Sequence, residues 1–359
     1  MATDVRALPH DRPTAVSVPA DRSPVRDPFL DNAKFLAIVL VVIGHAIEPL
    51  RDVPATKGLY VTIYAFHMPV FILISGYLSR NFTGKPHQGR RLITGIVLPY
   101  LIFEFSYEIL RDFTSGTEIV ISPLDPSFAM WFLIALLFWR LSVPMWNALH
   151  PVVAVAVAVA ISLAAGLTEL PSSFDPSRVL GFLPFYVAGL MMPKRYFDLV
   201  RTKLARGLAI PALLFSLAGA YLFAQDGGRV WLYYDKSYEQ IGVSALSGLG
   251  HRACALALGF VLLTAFLAVV PRRFTWFTGL GAATMYVYLL HRFVVKGAAG
   301  FGLYEPAWLH TVAGSALVVA LAVGLVFLFS SRPVTQLVQP FAEPRLDWLF
   351  RLRSAADRR

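Results

Sequence analysis

Residues 27–50 read DPFLDNAKFLAIVLVVIGHAIEPL, and the fold of the whole chain is decided by how this stretch is read. It opens on Asp27 and Pro28, a side chain suited to cap a helix N-terminus and a ring pre-set for the first helical position. It then stays apolar for close to the roughly 20 residues that cross a bilayer as a helix. Four ionisable residues interrupt it: Asp31, Lys34, His45 and Glu48. Lys34 and His45 are spaced by close to three helical turns, so they share one face, separated by about 16 Å along the axis. Glu48 follows three residues after His45 and approaches it from the next turn. Ionisable groups inside an apolar span are costly and are functional candidates by default. Two readings stand for each. Lys34 snorkels to lipid headgroups or binds an anion, and His45 is a hydrogen-bonded interior histidine or a proton-handling group.

The rest of the chain repeats the apolar pattern. Of its 359 residues, 57% are hydrophobic and 15% charged, and the mean hydropathy is +0.61. A soluble domain carries about 25% charged residues, so there is too little polar surface for a water-soluble globule. Disordered chains are poor in aromatics, and this one has 13%. A single cysteine, Cys254, excludes an internal disulfide scaffold. Apolar segments fall near 29–50, 58–78, 92–110, 127–147, 150–167, 178–192, 207–224, 251–270, 275–295 and 309–330. The expectation is an all-α, multi-pass protein of the cell membrane, a bundle of about ten transmembrane helices over 27–332. Residues 1–26, polar and Pro-rich, read as a disordered cytosolic tail, and 333–359 as a basic cytosolic C-terminal tail.

The formal charge of +10 has three readings: a nucleic-acid partner, an anionic lipid surface, or an anionic small substrate. Position decides. With a cytosolic N-terminus, 21 of the 32 Lys and Arg fall on the inner side and 9 on the outer, with Lys34 and Arg140 inside spans. That asymmetry places both termini in the cytosol and argues against nucleic acid. Counting in from the segment ends, His45 lies about 5 residues and His67 about 9 below the outer face, with Glu104 about 12 above the inner face. His291 lies further up its own span. These residues meet in the outer half of the bundle. Lys34, Arg80, Arg90, Arg91 and Arg140 collect at the inner side, as positive-inside anchors or as a grip for phosphates. The longest outer loop, about 225–250, holds Trp231, Tyr233, Tyr234 and Tyr238 with Asp226, Asp235 and Glu239. Such a set serves sugar recognition or anchors the loop at the membrane interface. Gly227 and Gly228 would let this loop act as a lid.

At this point the residues resemble a known family. A Lys or Arg, ten residues and a His on the first of ten spans looks like the membrane-bound acyltransferase-3 family, and Lys34 and His45 stand at those two positions. Further similarities are FHMPVFILISGYLSR at 66–80 with Ser75, Gly76 and Tyr77, RRLITGIVLPYL at 90–101, MWFLIALLFW at 130–139, GFLPFYVAGL at 181–190 and YLLH at 288–291. The FHMP form and the lack of a soluble domain look most like the sugar O-acetylase branch, similar to fucose 4-O-acetylases. Lys34 stands where many relatives have Arg, which gives up a bidentate phosphate grip.

The resemblance implies acetyl-CoA as donor, its phosphates held by Lys34, Arg80, Arg90, Arg91 and Arg140 and its pantetheine arm reaching His45, with no metal. His45 would act as general base on an acceptor hydroxyl or carry the acyl group covalently. Glu48 or Glu104 would orient its ring, while His67, His291 or Tyr288 would polarise the thioester carbonyl. The acceptor would be a cell-envelope glycan or glycolipid, met by Trp231, Tyr234, Asp235 and Tyr288. A transporter or flippase of a sugar-linked lipid is the alternative. Such proteins also have about ten spans, but the chain lacks their paired halves.

Overall fold

A computed structural model describes residues 27–116, 122–223 and 228–344. The expected tail at 1–26, Asp226 and Gly227 of the outer loop, and 345–359 of the C-terminal tail lie outside the described residues. Among the described residues every regular element is a helix. The first are α1 (Pro28–Ala46), α2 (Pro54–Ser79), α3 (Pro86–Leu92), α4 (Leu98–Ser115), α5 (Trp131–Leu141) and α6 (Val143–Asn147). Then come α7 (Pro151–Ala164), α8 (Pro176–Gly181), α9 (Leu183–Met191), α10 (Lys194–Val200), α11 (Lys203–Phe223) and α12 (Val230–Tyr233). The chain closes with α13 (Tyr238–Ile241), α14 (Ala245–Val269), α15 (Thr284–Gly300), α16 (Val312–Ser330) and α17 (Arg332–Ala342).

Among the described residues six helices are long and apolar enough to cross a membrane: α1, α2, the run from Pro86 through α4, α11, α14 and α16. The other four expected segments are shorter or broken. The 127–147 segment begins as loop, and its helix α5 has 11 residues. The 178–192 segment divides at Phe182, where Pro184 in the first turn of α9 cannot supply an N–H to a continuing helix. The 275–295 segment is a 3-10 turn, Thr278–Ala282, followed by the 17 residues of α15. Large apolar side chains point outward from the bundle, Phe215 and Leu214 on α11 and Val152 on α7 among them. In water such a shell would be a liability. Against lipid tails it is the favoured exterior.

Local chemistry sets where the helices start and how closely they cross. The Asp27 carboxylate accepts from the Phe29 amide at 3.0 Å, so α1 begins at the expected cap. Asn32, fully buried, donates to the Pro271 and Arg273 carbonyls at 3.0 Å each and accepts from Thr278 Oγ1 at 2.7 Å. This ties the entry of α1 to the turn before α15. The most extensive crossing is α2 on α9. There Gly76 lies on the Tyr186 carbonyl and Gly189 on the Leu73 carbonyl, two positions where a Cβ has no room. Small residues let two helices approach backbone to backbone where no water drives them together. At the C-terminus, α17 packs on α4, α15 and α16.

Candidate active site

The end of α1, the first half of α2 and the middle of α15 converge on a cavity of about 340 Å³. That is within the roughly 300–1,000 Å³ typical of small-molecule sites. Its polar floor is built from His45 at the end of α1, Glu48 in the following 3-10 turn, Tyr64 and His67 on α2, and Arg292 on α15. Its walls are aromatic: Tyr60, Phe128, Trp131, Phe182, Tyr233 and Tyr288. Tyr60 and Tyr233 share a hydrogen bond of 2.6 Å, and Tyr60 stacks on Tyr64 with ring centres 4.1 Å apart.

The hydrogen bonds assign each histidine a tautomer. Arg292 Nη1 lies 2.9 Å from His45 Nδ1, and a guanidinium can only donate. His45 Nδ1 is therefore the acceptor, and the neutral ring carries its proton on Nε2. Tyr64 Oη is also 2.8 Å from that nitrogen. His67 is the reverse case. Its Nδ1 lies 2.9 Å from the Ile63 carbonyl, which only accepts, so Nδ1 carries a proton, and in the neutral ring Nε2 keeps the lone pair. His291 does the same toward the Tyr288 and Val287 carbonyls at 2.7 and 3.1 Å, and its Nε2 is buried without a hydrogen-bond partner. The His45 ring stacks on His291 with centres 5.3 Å apart and meets His67 edge-on at 6.3 Å. Three imidazoles from three helices thus form one cluster, in which His45 offers an N–H and the other two offer lone pairs.

The remaining expected site residues divide. Glu48 lines the cavity, but its Oε2 is nearer Arg292 Nη1, at 3.3 Å, than His45 Nδ1, at 3.8 Å. Glu104 does not meet His45. It accepts from the Ser127 amide at 2.8 Å, and Glu108 accepts from the Ser127 hydroxyl at 2.8 Å. Tyr288 reaches the cavity, but its hydroxyl is engaged with the Ala129 carbonyl at 2.5 Å. These bonds pin the loop before α5, in which Phe128 takes the left-handed conformation (φ 51°), uncommon for a bulky residue. Arg292 lies 5.4 Å over the Phe128 ring.

Asp235 lines the cavity and pairs with Arg178 at 2.8 Å. Trp231 and Tyr234 do not line it. Trp231 stacks on His251, centres 4.8 Å apart, and Tyr234 is buried beside Gly181 and the Phe182 ring. Arg178 and Asp235 also line an adjoining open groove of about 930 Å³ with Asp125, Glu169, Ser172 and Gln240.

The expected phosphate-binding cations lie away from this cavity. Lys34 Nζ pairs with Asp31 at 2.7 Å, one turn back on α1. Arg80 caps the end of α2, its guanidinium 3.5 Å over the Tyr77 ring. Arg140 donates to Ser79 at 3.3 Å, which brings it to the same helix end. Arg90 and Arg91 are exposed around α3. Val41, on the face of α1 that carries Lys34 and His45, does line the cavity.

Sequence reasoning missed Arg292, Tyr64, Arg51, Arg178 and Arg229. Tyr64 sits one turn before His67 and was open to discovery by helical spacing. Arg292 follows His291 directly, yet counting charges by side of the membrane grouped it with the outer residues. The structure instead puts it inside α15, where it is 6% exposed.

Comparison with known proteins identifies a family. The sequence model of a family described as an acyltransferase domain, acyltransferase 3, matches residues 27–328. The chain is similar to the nodulation protein NolL of Mesorhizobium japonicum, 45% identical over 58 residues. That match covers 15% of this chain and 16% of NolL. No solved structure matches.

Proposed function

The chain belongs to the acyltransferase-3 family, and from that premise we propose that it moves an acetyl or other short acyl group from acyl-CoA to a hydroxyl of a cell-envelope glycan or glycolipid. The observation that carries this reading is the pair of neutral histidines in opposite tautomers, His45 and His67, inside an aromatic cavity. Acyl transfer to a hydroxyl needs a lone pair to take the hydroxyl proton and a donor at the carbonyl oxygen. In these inferred tautomers His67 Nε2 supplies the lone pair, and His45 Nε2–H is the donor. The hydroxyl oxygen attacks the thioester carbon as its proton passes to His67. The carbon–sulfur bond then breaks, and the proton returns to the departing thiolate. The sequence reading made His45 the base. That role requires Arg292 to leave Nδ1 and Glu48 to take its place, a closure from 3.8 Å. His291 packs behind His45 and acts by positioning its ring.

The donor enters from the cytosol in this proposal, with both chain ends on that side and ten helical segments in the membrane. Lys34, Arg80, Arg90, Arg91 and Arg140 hold its phosphates. The aromatic walls stack on the sugar ring of the acceptor, and Asp235 binds its hydroxyls. The family match favours acyl transfer over a membrane transporter.

The test uses full-length protein in nanodiscs with radiolabelled acetyl-CoA and acceptor glycan from the cell envelope. His45→Ala and His67→Asn are each expected to lower transfer about 10²- to 10⁴-fold while leaving acetyl-CoA bound. Transfer that survives His45→Ala undiminished overturns the proposal. If His67→Asn keeps full activity while His45→Ala does not, the base is His45. Label retained on the protein without acceptor marks an acyl-histidine route, and peptide mapping of the label names the histidine.

A further inference from the structure

Four arginines line the cavity, Arg51, Arg178, Arg229 and Arg292, against two carboxylates, Glu48 and Asp235. Two of the four are matched. Arg292 pairs with Glu48 at 3.3 Å and Arg178 with Asp235 at 2.8 Å. Arg51 and Arg229 have no carboxylate within ion-pair distance among the described residues. Arg51, just before α2 begins, has its guanidinium 5.1 Å from the Tyr60 ring and is drawn to the Tyr60 hydroxyl and, from beyond ion-pair distance, to Glu48. Arg229 immediately precedes α12. Both are half-buried, and Arg51 is less covered than His45 and Glu48 on the floor, which sets it toward the rim. The Tyr60–Tyr233 hydrogen bond joins α2 and α12, the helices that follow the two arginines in the chain.

Two guanidiniums without a carboxylate in ion-pair contact, in a partly desolvated wall, cost free energy that a ligand anion would recover. Their planar fork suits the oxygens of a carboxylate or a phosphate. Resting on the acyl-transfer reading above, we propose that the acceptor bears an anionic group, a carboxylate or a phosphate monoester, which Arg51 and Arg229 bind at the cavity rim. This orients the adjacent sugar so that its hydroxyl reaches the histidine cluster. The acceptor is thereby an acidic sugar or a sugar phosphate, and the two arginines select it over a neutral sugar.

The test measures binding to full-length protein in nanodiscs by microscale thermophoresis. The probes are methyl β-glucuronide for the carboxylate, glucose 1-phosphate for the phosphate, and methyl β-glucoside as the neutral match. At least one anionic probe is expected to bind about tenfold or more tightly than the glucoside, with the preference shrinking as salt rises. Whichever anionic probe binds identifies the group. Arg51→Gln with Arg229→Gln abolishes the preference, and Arg51→Lys with Arg229→Lys retains part of it, which separates lost charge from lost folding. Acetyl-CoA affinity is expected to stay the same in all of these variants. Equal binding of neutral and anionic probes overturns the inference. So does a double Gln variant that loses acetyl-CoA and not the sugars, since the arginines would then serve the donor. Label transfer from acetyl-CoA to each probe is followed in parallel. Transfer without anion preference sinks this inference alone, and anion preference without any His45-dependent transfer sinks the acyl-transfer reading alone.

Discussion

Arg292 holds two partners with one nitrogen, Nη1, which is 2.9 Å from His45 Nδ1 and 3.3 Å from Glu48 Oε2. Its Nε is buried without a hydrogen-bond partner. A permanent donor against Nδ1 keeps the His45 proton on Nε2, the side left free for a substrate oxygen. Arg292→Gln removes the charge and Arg292→Lys keeps it, but neither restores the fork. On the proposed mechanism both variants lower kcat by about 10²- to 10³-fold, the scale seen when one oxyanion donor is lost. On the same proposal KM for acetyl-CoA changes little, because Lys34 and the inner arginines are assigned the donor's phosphates. Steady-state kinetics on purified protein check this, and an unchanged kcat in Arg292→Gln would remove the residue from the mechanism. At this scale the sequence was only partly legible. His45 stood out because an imidazole is rare in an apolar run, and Glu48 followed from its spacing. Glu104 stood out for the same reason and was assigned a similar role, yet it holds the Ser127 amide. Rarity identifies a residue under constraint. It does not identify the atom that the residue meets.

The helices that read most clearly were the long ones, since six crossings declare themselves by length and apolarity. The short elements were hidden because an apolar run does not reveal where backbone hydrogen bonding breaks. Residues 127–130 were read as the start of a span, but they form the loop clamped by Glu104, Glu108 and Tyr288. The two motif glycines, Gly76 and Gly189, were legible as pattern and not as cause. In the structure each lies against a carbonyl of the opposing helix, so α2 and α9 touch backbone to backbone. Gly189→Ala drives a methyl group into the Leu73 carbonyl, and neither helix can shift without moving Leu73, which is fully buried. Overpacking of this kind costs about 1–3 kcal/mol. Gly207→Ala on α11 is the matched control, because a Cβ there meets nothing within 4 Å. Thermal unfolding in detergent should show Gly189→Ala well below wild type. Gly207→Ala should equal or exceed wild type, since Ala favours an open helix by up to about 1 kcal/mol. Equal midpoints for both variants would mean that the crossing is looser than its geometry implies.

Orientation is a property of the whole molecule, and no single residue carries it. Among the described residues, Lys and Arg cluster in the stretches after α2, α9 and α14, which do not line the cavity. The cavity end holds Arg51, Arg178 and Arg229 instead, residues with a position in the site. If the bias reflects retention of positive charge in the cytosol, the cavity end faces outward. The donor's phosphates would then bind at the inner side. α14 makes this testable within one element, because its 25 residues separate Glu239 from Arg272 by one crossing of about 37 Å. Both residues are exposed. The chain's single cysteine, Cys254, is also exposed, so the test begins from Cys254→Ser. On that background Glu239→Cys is expected to react with a membrane-impermeant maleimide in intact cells. Arg272→Cys should react only after the membrane is opened. The opposite pattern would put both ends of the chain outside and make a cytosolic acyl-CoA meet the cavity from its arginine-lined rim. Arg51 and Arg229 would then face the donor's phosphates, and the anion they bind would belong to the donor. The labelling pattern therefore decides the topology, and with it which of the two substrates the unpaired arginines can reach.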